Sequence, residues 1–162
     1  MTLEDRLAAL ESRLRAAEDH LAILNLLNSY GPLVDSGTAD AAAALWVEGG
    51  TYDFGGNAGG TQMIAPEDLA AMYRSQGHLA LVDNGCAHLT ATPAIAVEGD
   101  TATALAYSFV VSREGERWFL WRAAVNHWVL TRTEAGWRIV ERHNRVLDGS
   151  PESHATMRRV LD

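Results

Sequence analysis

Lysine is absent from this chain of 162 residues, and all thirteen basic residues are arginine. A Schiff base to a side-chain amine is therefore excluded, and the lysine of a phosphate-binding P-loop has no counterpart. Arginine holds its proton too tightly for acid–base work near neutral pH. Any proton transfer falls to His, Asp, Glu, Tyr or Cys. Cysteine is almost absent too. Cys86 stands alone, which excludes an internal disulfide and a cysteine-built zinc cage. No apolar run reaches the ~18 residues of a membrane span. The N-terminus carries charge from Glu4 onward and lacks the apolar stretch of a signal peptide, so the expected location is cytoplasmic, with no membrane partner. Positive charge is scarce: 13 basic residues stand against 21 acidic ones, a net charge of −8. Without a basic stripe, nucleic acid is not an expected partner.

The rest of the composition is that of an ordinary globular chain, 48% apolar and 21% charged. The length fits one domain and supports a core without a metal or disulfide staple. There is no internal repeat and no low-complexity tract. Leu3, Leu7, Leu10, Leu14, Ala17, Leu21 and Leu24 recur at spacings of three and four, predicting a long helix capped by Thr2 with Asp5 three residues on. Residues 1–20 read as a surface or partner-facing helical extension, and the core helix begins at 21. The alternative is a single amphipathic helix lying on its own domain. Gly31-Pro32 interrupts or ends the helix.

A turn at Asp35 to Thr38 leads to a short alanine-rich helix, Ala39 to Trp46. A short strand spans Thr51 to Phe54. Gly55 to Gly60 reads as a loop matching no phosphate-binding fingerprint. Pro66 opens a third helix running to about Ser75. Beyond it, His88 to Val97, Thr101 to Val111, Arg117 to Leu130 and Trp137 to Val146 are rich in β-branched and aromatic residues. The breaks between them suit hairpins. Ser150-Pro151 begins a last short helix or tail, 151–162. Helices followed by a strand meander predict an α+β fold. Its curved antiparallel sheet would wrap around helices and enclose a pocket, with the domain proper covering 21–150.

None of the six histidines has the HExxH spacing, and no acidic calcium loop is present. Neither a metal nor a cofactor is expected. Cys86 and His88 would point the same way on a strand, although a lone cysteine usually serves as a small apolar residue. His20, His78 and His154 read as surface residues. Arg142, His143, Asn144 and Arg145 are candidates for a pocket rim, with no choice among them. Strand alternation puts Asn126, Trp128 and Leu130 on one face and His127 on the other.

Tyr30, Asp35, Tyr52, His88 and Asn126 form the most informative set. The chain resembles the SnoaL-like group within the nuclear-transport-factor-2-like superfamily, whose members fold as a cone-shaped α+β barrel. The likeness spans roughly residues 18–148. It rests on Tyr30-Gly-Pro-Leu-Val-Asp35, Ala-Leu-Trp46, Cys-Ala-His88 and Asn126-His-Trp-Val-Leu-Thr-Arg-Thr-Glu-Ala-Gly-Trp137. The closest likeness in motif is to scytalone dehydratase and bile-acid 7α-dehydratase. The resemblance implies an Asp35–His88 pair, a helix-end tyrosine at Tyr30 and a pocket asparagine at Asn126. Both dehydratases carry a further polar residue on the middle strand, where this chain has Val110 or Ser112. The resemblance also implies self-association, a trimer by preference or a dimer.

A neutral imidazole can take a proton near pH 7, and a carboxylate on its other nitrogen fixes the tautomer and stabilises the cation. The expectation is a cofactor-independent lyase of the dehydratase or dehydrohalogenase type. Its substrate would be a small hydrophobic ring compound of steroid or polyketide type. His88 would act as base, Asp35 as orienter and Tyr30 as hydrogen-bond donor. Asn126 would anchor substrate, with Tyr52, Phe54, Trp46 and Trp128 as walls. The alternatives are a ketosteroid-type isomerase or a non-catalytic binding protein. At the level of single residues, Asp35 could equally cap the following helix, His88 could be a strand-end residue satisfied by backbone, and Tyr30 a core aromatic.

Overall fold

The computed structural model describes residues 1–55, 63–64 and 66–161. Helix α1 spans Leu3–Asp35 as one uninterrupted element. Its start is the capping box anticipated at Thr2: Asp5 N–H donates to Thr2 Oγ1 (3.1 Å), and Thr2 N–H donates to Asp5 Oδ2 (2.7 Å). The expected break at Gly31-Pro32 does not occur. Pro32 forfeits its own backbone N–H, but the next turn is held by tertiary contacts. Val34 is buried in the core, and Asp35 is hydrogen-bonded to a distant strand. Helix α2 is shorter than expected, Ala39–Ala43.

Strand β1 begins earlier than expected, at Trp46, and runs to Asp53. Of the glycine-rich run expected at 55–60, only Gly55 lies within the described residues. After β2 (Met63–Ile64) come α3 (Pro66–Tyr73) and an unanticipated helix, α4 (Gln76–Asn84). Ser75 caps α4, its Oγ accepting from His78 N–H. The segment expected as one strand from His88 to Val97 is two, β3 (Cys86–Thr90) and β4 (Ala94–Glu98). Pro93 lies in the break between them, where its missing N–H disrupts no ladder. Then follow β5 (Thr101–Glu114), β6 (Arg117–Thr133), β7 (Gly136–Val146) and α5 (Pro151–Arg158). Gly99 and Gly115 open two-residue hairpin loops with φ of +61° and +60°, a conformation that side chains with a Cβ resist.

The sheet order is β2-β1-β7-β6-β5-β3, with β4 also pairing β5. All pairings are antiparallel except β1 with β7, which run parallel. The result is the α+β architecture anticipated, a curved sheet around helices. On its inner side, Ile23, Leu27 and Val34 of α1 meet Trp128, Leu130, Trp137 and Ile139 of the sheet. Small residues on β5 (Ala102, Ala104 and Ala106) are buried in the same cluster.

Farther up α1, Asp19 is clamped to the sheet by both Arg132 NH groups (2.6 and 2.7 Å) and by Trp137 Nε1–H (3.2 Å). The Arg132 hydrogen bonds hold the Asp19 carboxyl below its usual pKa, outweighing the opposing effect of burial. Asp19 is thus the first buried residue along α1. No helix among the described residues is long and apolar enough to cross a membrane.

Candidate active site

Two elements remote in sequence meet because α1 carries a glycine where it crosses β3. A Cβ at Gly31 would overlap the carbonyl oxygen of His88 and come within 3.2 Å of its carbonyl carbon. One turn on, Asp35 ends the helix against the same strand. Asp35 Oδ2 accepts from the His88 backbone N–H (2.7 Å), and Oδ1 contacts His88 Nδ1 at 2.5 Å. The Cys86 thiol donates to Oδ1 at 3.2 Å. The carboxylate therefore does not cap α2.

Burial pushes the Asp35 pKa upward, but the hydrogen bonds and charge of His88, with the thiol's help, outweigh it and hold the carboxyl below its ordinary value. An ionised Asp35 requires Nδ1 to be the protonated nitrogen of a neutral His88. Nε2 then carries the lone pair, and it makes no hydrogen bond to another described residue. Burial, then Asp35, pushes the Cys86 thiol up to about 12. Cys86 is a hydrogen-bond donor to the carboxylate and not a thiolate nucleophile. Asp35, Cys86 and His88 also offer metal-ligand atoms within 4.8 Å of one another. That set is closed on itself: the thiol retains its proton and Nδ1 faces the carboxylate.

His88 lines a cavity of about 210 Å³ together with Tyr30, Tyr52, Phe54, Tyr73 and His78. Val110 completes the wall beside His88, being its register partner on β5. Ser112 lies two residues further along the same strand, is buried, and is not among the lining residues. Tyr30 sits edge-on to His88, Trp46 and Tyr73, with ring centroids 6.1 to 6.2 Å apart. The Tyr73 hydroxyl is 3.5 Å from that of Tyr30. Burial raises the Tyr52 pKa to about 12 and carries that of Tyr73 well above its ordinary value, so both are neutral donors at pH 7.

Trp46, Trp128 and Asn126, expected on the cavity wall, do not line it. Trp46 and Trp128 lie one layer beneath, in the core. Asn126 is fully buried and organises the residues above it. Its Oδ1 accepts from Arg142 Nε (2.9 Å) and Asn144 Nδ2 (2.8 Å), and its Nδ2 donates to Ser108 Oγ (2.6 Å). Because arginine can only donate, this network fixes which way the amide points. Asn144 Oδ1 in turn accepts from Arg122 (2.7 Å).

Arg142 does line the cavity, and nothing in the local sequence separates it from its neighbours Glu141 and His143. Its guanidinium is buried, stacked over Tyr30 at 4.3 Å and Tyr52 at 4.5 Å. One of its nitrogens, NH1, has no hydrogen-bond partner among the described residues. No carboxylate among them pairs with it. His143 and Arg145 turn instead to the buried Asp53.

His78 also differs from expectation. Read as a surface residue, it lines the cavity from α4, with its ring centroid 5.9 Å from that of His88. Its Nε2 lies 3.2 Å from the Val34 carbonyl oxygen, so it donates there. Ser75 as an N-cap and Gly85 as a stop were the available signals for α4. His127 faces away from the cavity, as alternation predicted, and its Nδ1 lies 3.2 Å from Arg159.

A histidine–carboxylate contact, two neutral phenols and a buried guanidinium thus surround one cavity within a curved α+β sheet. The chain belongs to the SnoaL-like domain family, whose profile matches residues 15–143. It is 42% identical to an NTF2-like protein with a cystatin-like fold from Novosphingobium aromaticivorans, covering 93% of this chain and 96% of that one, with a TM-score of 0.87. A provisionally named scytalone dehydratase from the same organism shares the fold at 16% identity, 85% and 87% coverage and a TM-score of 0.66. Aln2 from a Streptomyces species does so at 16% identity, 81% and 92% coverage and a TM-score of 0.70. Among curated proteins none matches the chain significantly.

Proposed function

We propose that this protein is a cofactor-independent lyase of the dehydratase type acting on a small hydrophobic ring compound. The observation that carries the proposal is the 2.5 Å contact between Asp35 and His88 Nδ1 beside an aromatic cavity. Nε2 of His88 takes a proton from the carbon next to a substrate carbonyl. The electron pair moves onto the carbonyl oxygen, where the Arg142 guanidinium and the Tyr30 hydroxyl donate to the developing negative charge. As the enolate collapses, the adjacent carbon–oxygen bond breaks. The departing hydroxide takes the proton back from His88 and leaves as water, which restores the base. Asp35 stabilises the transient imidazolium. General base assistance of this kind contributes typically 10²–10⁴-fold.

A ketosteroid-type isomerase is the second reading, and Val110 favours it. The side chain in register with His88 is apolar, and isomerisation needs a base and an oxyanion site but no acid for a leaving group. Both readings predict that the protein exchanges the α-hydrogens of cyclic ketones with deuterium from solvent water, and that His88→Ala does not while keeping its circular dichroism. Exchange undiminished in His88→Ala would remove that residue from the mechanism, and no exchange by the wild type would favour a binding protein. Product mass separates the two enzymes, because elimination loses water and isomerisation loses nothing.

A further inference from the structure

The N-terminal half of α1 carries a seam that its own domain does not use. Leu3, Leu7, Leu10, Leu14 and Leu21 are 55% to 81% exposed. With Ala17 and Leu24 they follow spacings of four and three without interruption over three heptads, about 32 Å of helix. The residues that pack α1 onto its own domain are Asp19, Ile23, Leu27, Tyr30 and Val34. They lie roughly 150° around the helix from that seam. The domain thus leaves the seam open from Leu3 to Leu21, and Leu24 is half-buried at its end. A row of exposed leucines at alternating spacings of three and four is the a/d pattern of a coiled coil.

The flanking charges choose the occupant. With Leu7, Leu14 and Leu21 at a, and Leu3, Leu10, Ala17 and Leu24 at d, the e positions are Glu4, Glu11 and Glu18. The g positions are Arg6, Arg13 and His20. Every e residue is acidic, and the g residues are two arginines and a histidine. None of the five Glu and Arg residues forms an ion pair within the chain among the described residues. In a parallel, in-register pairing each g residue meets the e residue of the next heptad on the partner. Arg6 would face Glu11 of a second copy, and Arg13 would face Glu18. In an antiparallel pairing g meets g and e meets e, which sets arginine against arginine and glutamate against glutamate.

From the seam and its charges together we infer that copies of this chain associate through residues 3–24 as a parallel, in-register coiled coil. The partner is a second copy of the same helix, since the same surface supplies both halves of the charge pattern. The N-termini lie side by side, and the domains sit together at the other end.

The test uses the full chain. Sedimentation equilibrium of the wild type should give at least twice the 17.6 kDa of one chain, and Leu10→Glu/Leu14→Glu should sediment as the monomer with its circular dichroism melt retained. Glu11→Arg/Glu18→Arg and Arg6→Glu/Arg13→Glu should each weaken association at least tenfold. Mixed together, they should associate with each other. Leu3→Cys should oxidise to a covalent dimer, which an antiparallel arrangement with the two Leu3 positions at opposite ends would not permit. A monomeric wild type would overturn the inference. So would an oligomer indifferent to the Leu10→Glu/Leu14→Glu change, which would place the contact on another surface.

Discussion

The substitution Gly31→Ala adds a single methyl group at the point where α1 crosses β3. The new carbon would collide with the His88 carbonyl oxygen and approach its carbonyl carbon to 3.2 Å. Both are backbone atoms, and β3 is held in register with β5 from Cys86 to Thr90, so the strand cannot yield as a flexible side chain would. Ordinary contact is about 3.5 Å, which requires the helix to withdraw by about 1.5 Å. Overpacking of this kind typically costs about 1–3 kcal/mol. The same withdrawal stretches the 2.7 Å and 2.5 Å contacts between Asp35 and His88, and a misplacement of about 1 Å can cost about 10²-fold in rate. Urea denaturation followed by tryptophan fluorescence should show a lower midpoint at unchanged slope. Gly77→Ala is the control. Gly77 is helical and a Cβ there meets nothing within 4 Å, so this change should stabilise by up to about 1 kcal/mol. A Gly31→Ala protein with an unchanged midpoint and full deuterium exchange would refute the view that this crossing sets the Asp35–His88 geometry.

Two further substitutions follow from the electrostatics. The folded-state pKa of Asp35 lies below its ordinary value, so its ionised form contributes stability above the unfolded value of about 3.9. That contribution fades as the pH falls through the lower folded value. Asp35→Asn should therefore be less stable than wild type at neutral pH, with the two denaturation midpoints converging on acidification. A gap that is constant with pH would contradict the assignment. Arg142→Met removes a buried cation with no carboxylate partner among the described residues, while Asn126 Oδ1 keeps Asn144 as a donor. Replacing a buried charge by an apolar side chain is often neutral or stabilising. The thermal midpoint should hold or rise while turnover falls by about 10²–10³-fold, the effect of deleting one oxyanion donor. Unchanged turnover would exclude Arg142 from substrate stabilisation.

Local periodicity made much of this protein legible in its sequence. The heptad spacing of the first helix, the Thr2 capping box, the long strands β5 to β7 and the hairpins at Gly99 and Gly115 all follow from side-chain patterns within a few residues of one another. Strand parity correctly separated Asn126, Trp128 and Leu130 from His127. Parity reports a face and not a depth, however. It could not tell that Asn126 lies beneath Arg142, or that Trp46 and Trp128 sit behind the cavity wall. Those positions depend on how α1 and the sheet stack. The same stacking carries the helix through Gly31-Pro32 to Asp35, because contacts at Val34 and Asp35 outweigh what proline forfeits locally. Tertiary structure alone brought Gly31 against the His88 carbonyl, turned His78 inward on a helix of nine residues, and buried Arg142 among tyrosines. Each of these rests on contacts between segments far apart in the chain, and such contacts leave no periodic trace in the local sequence.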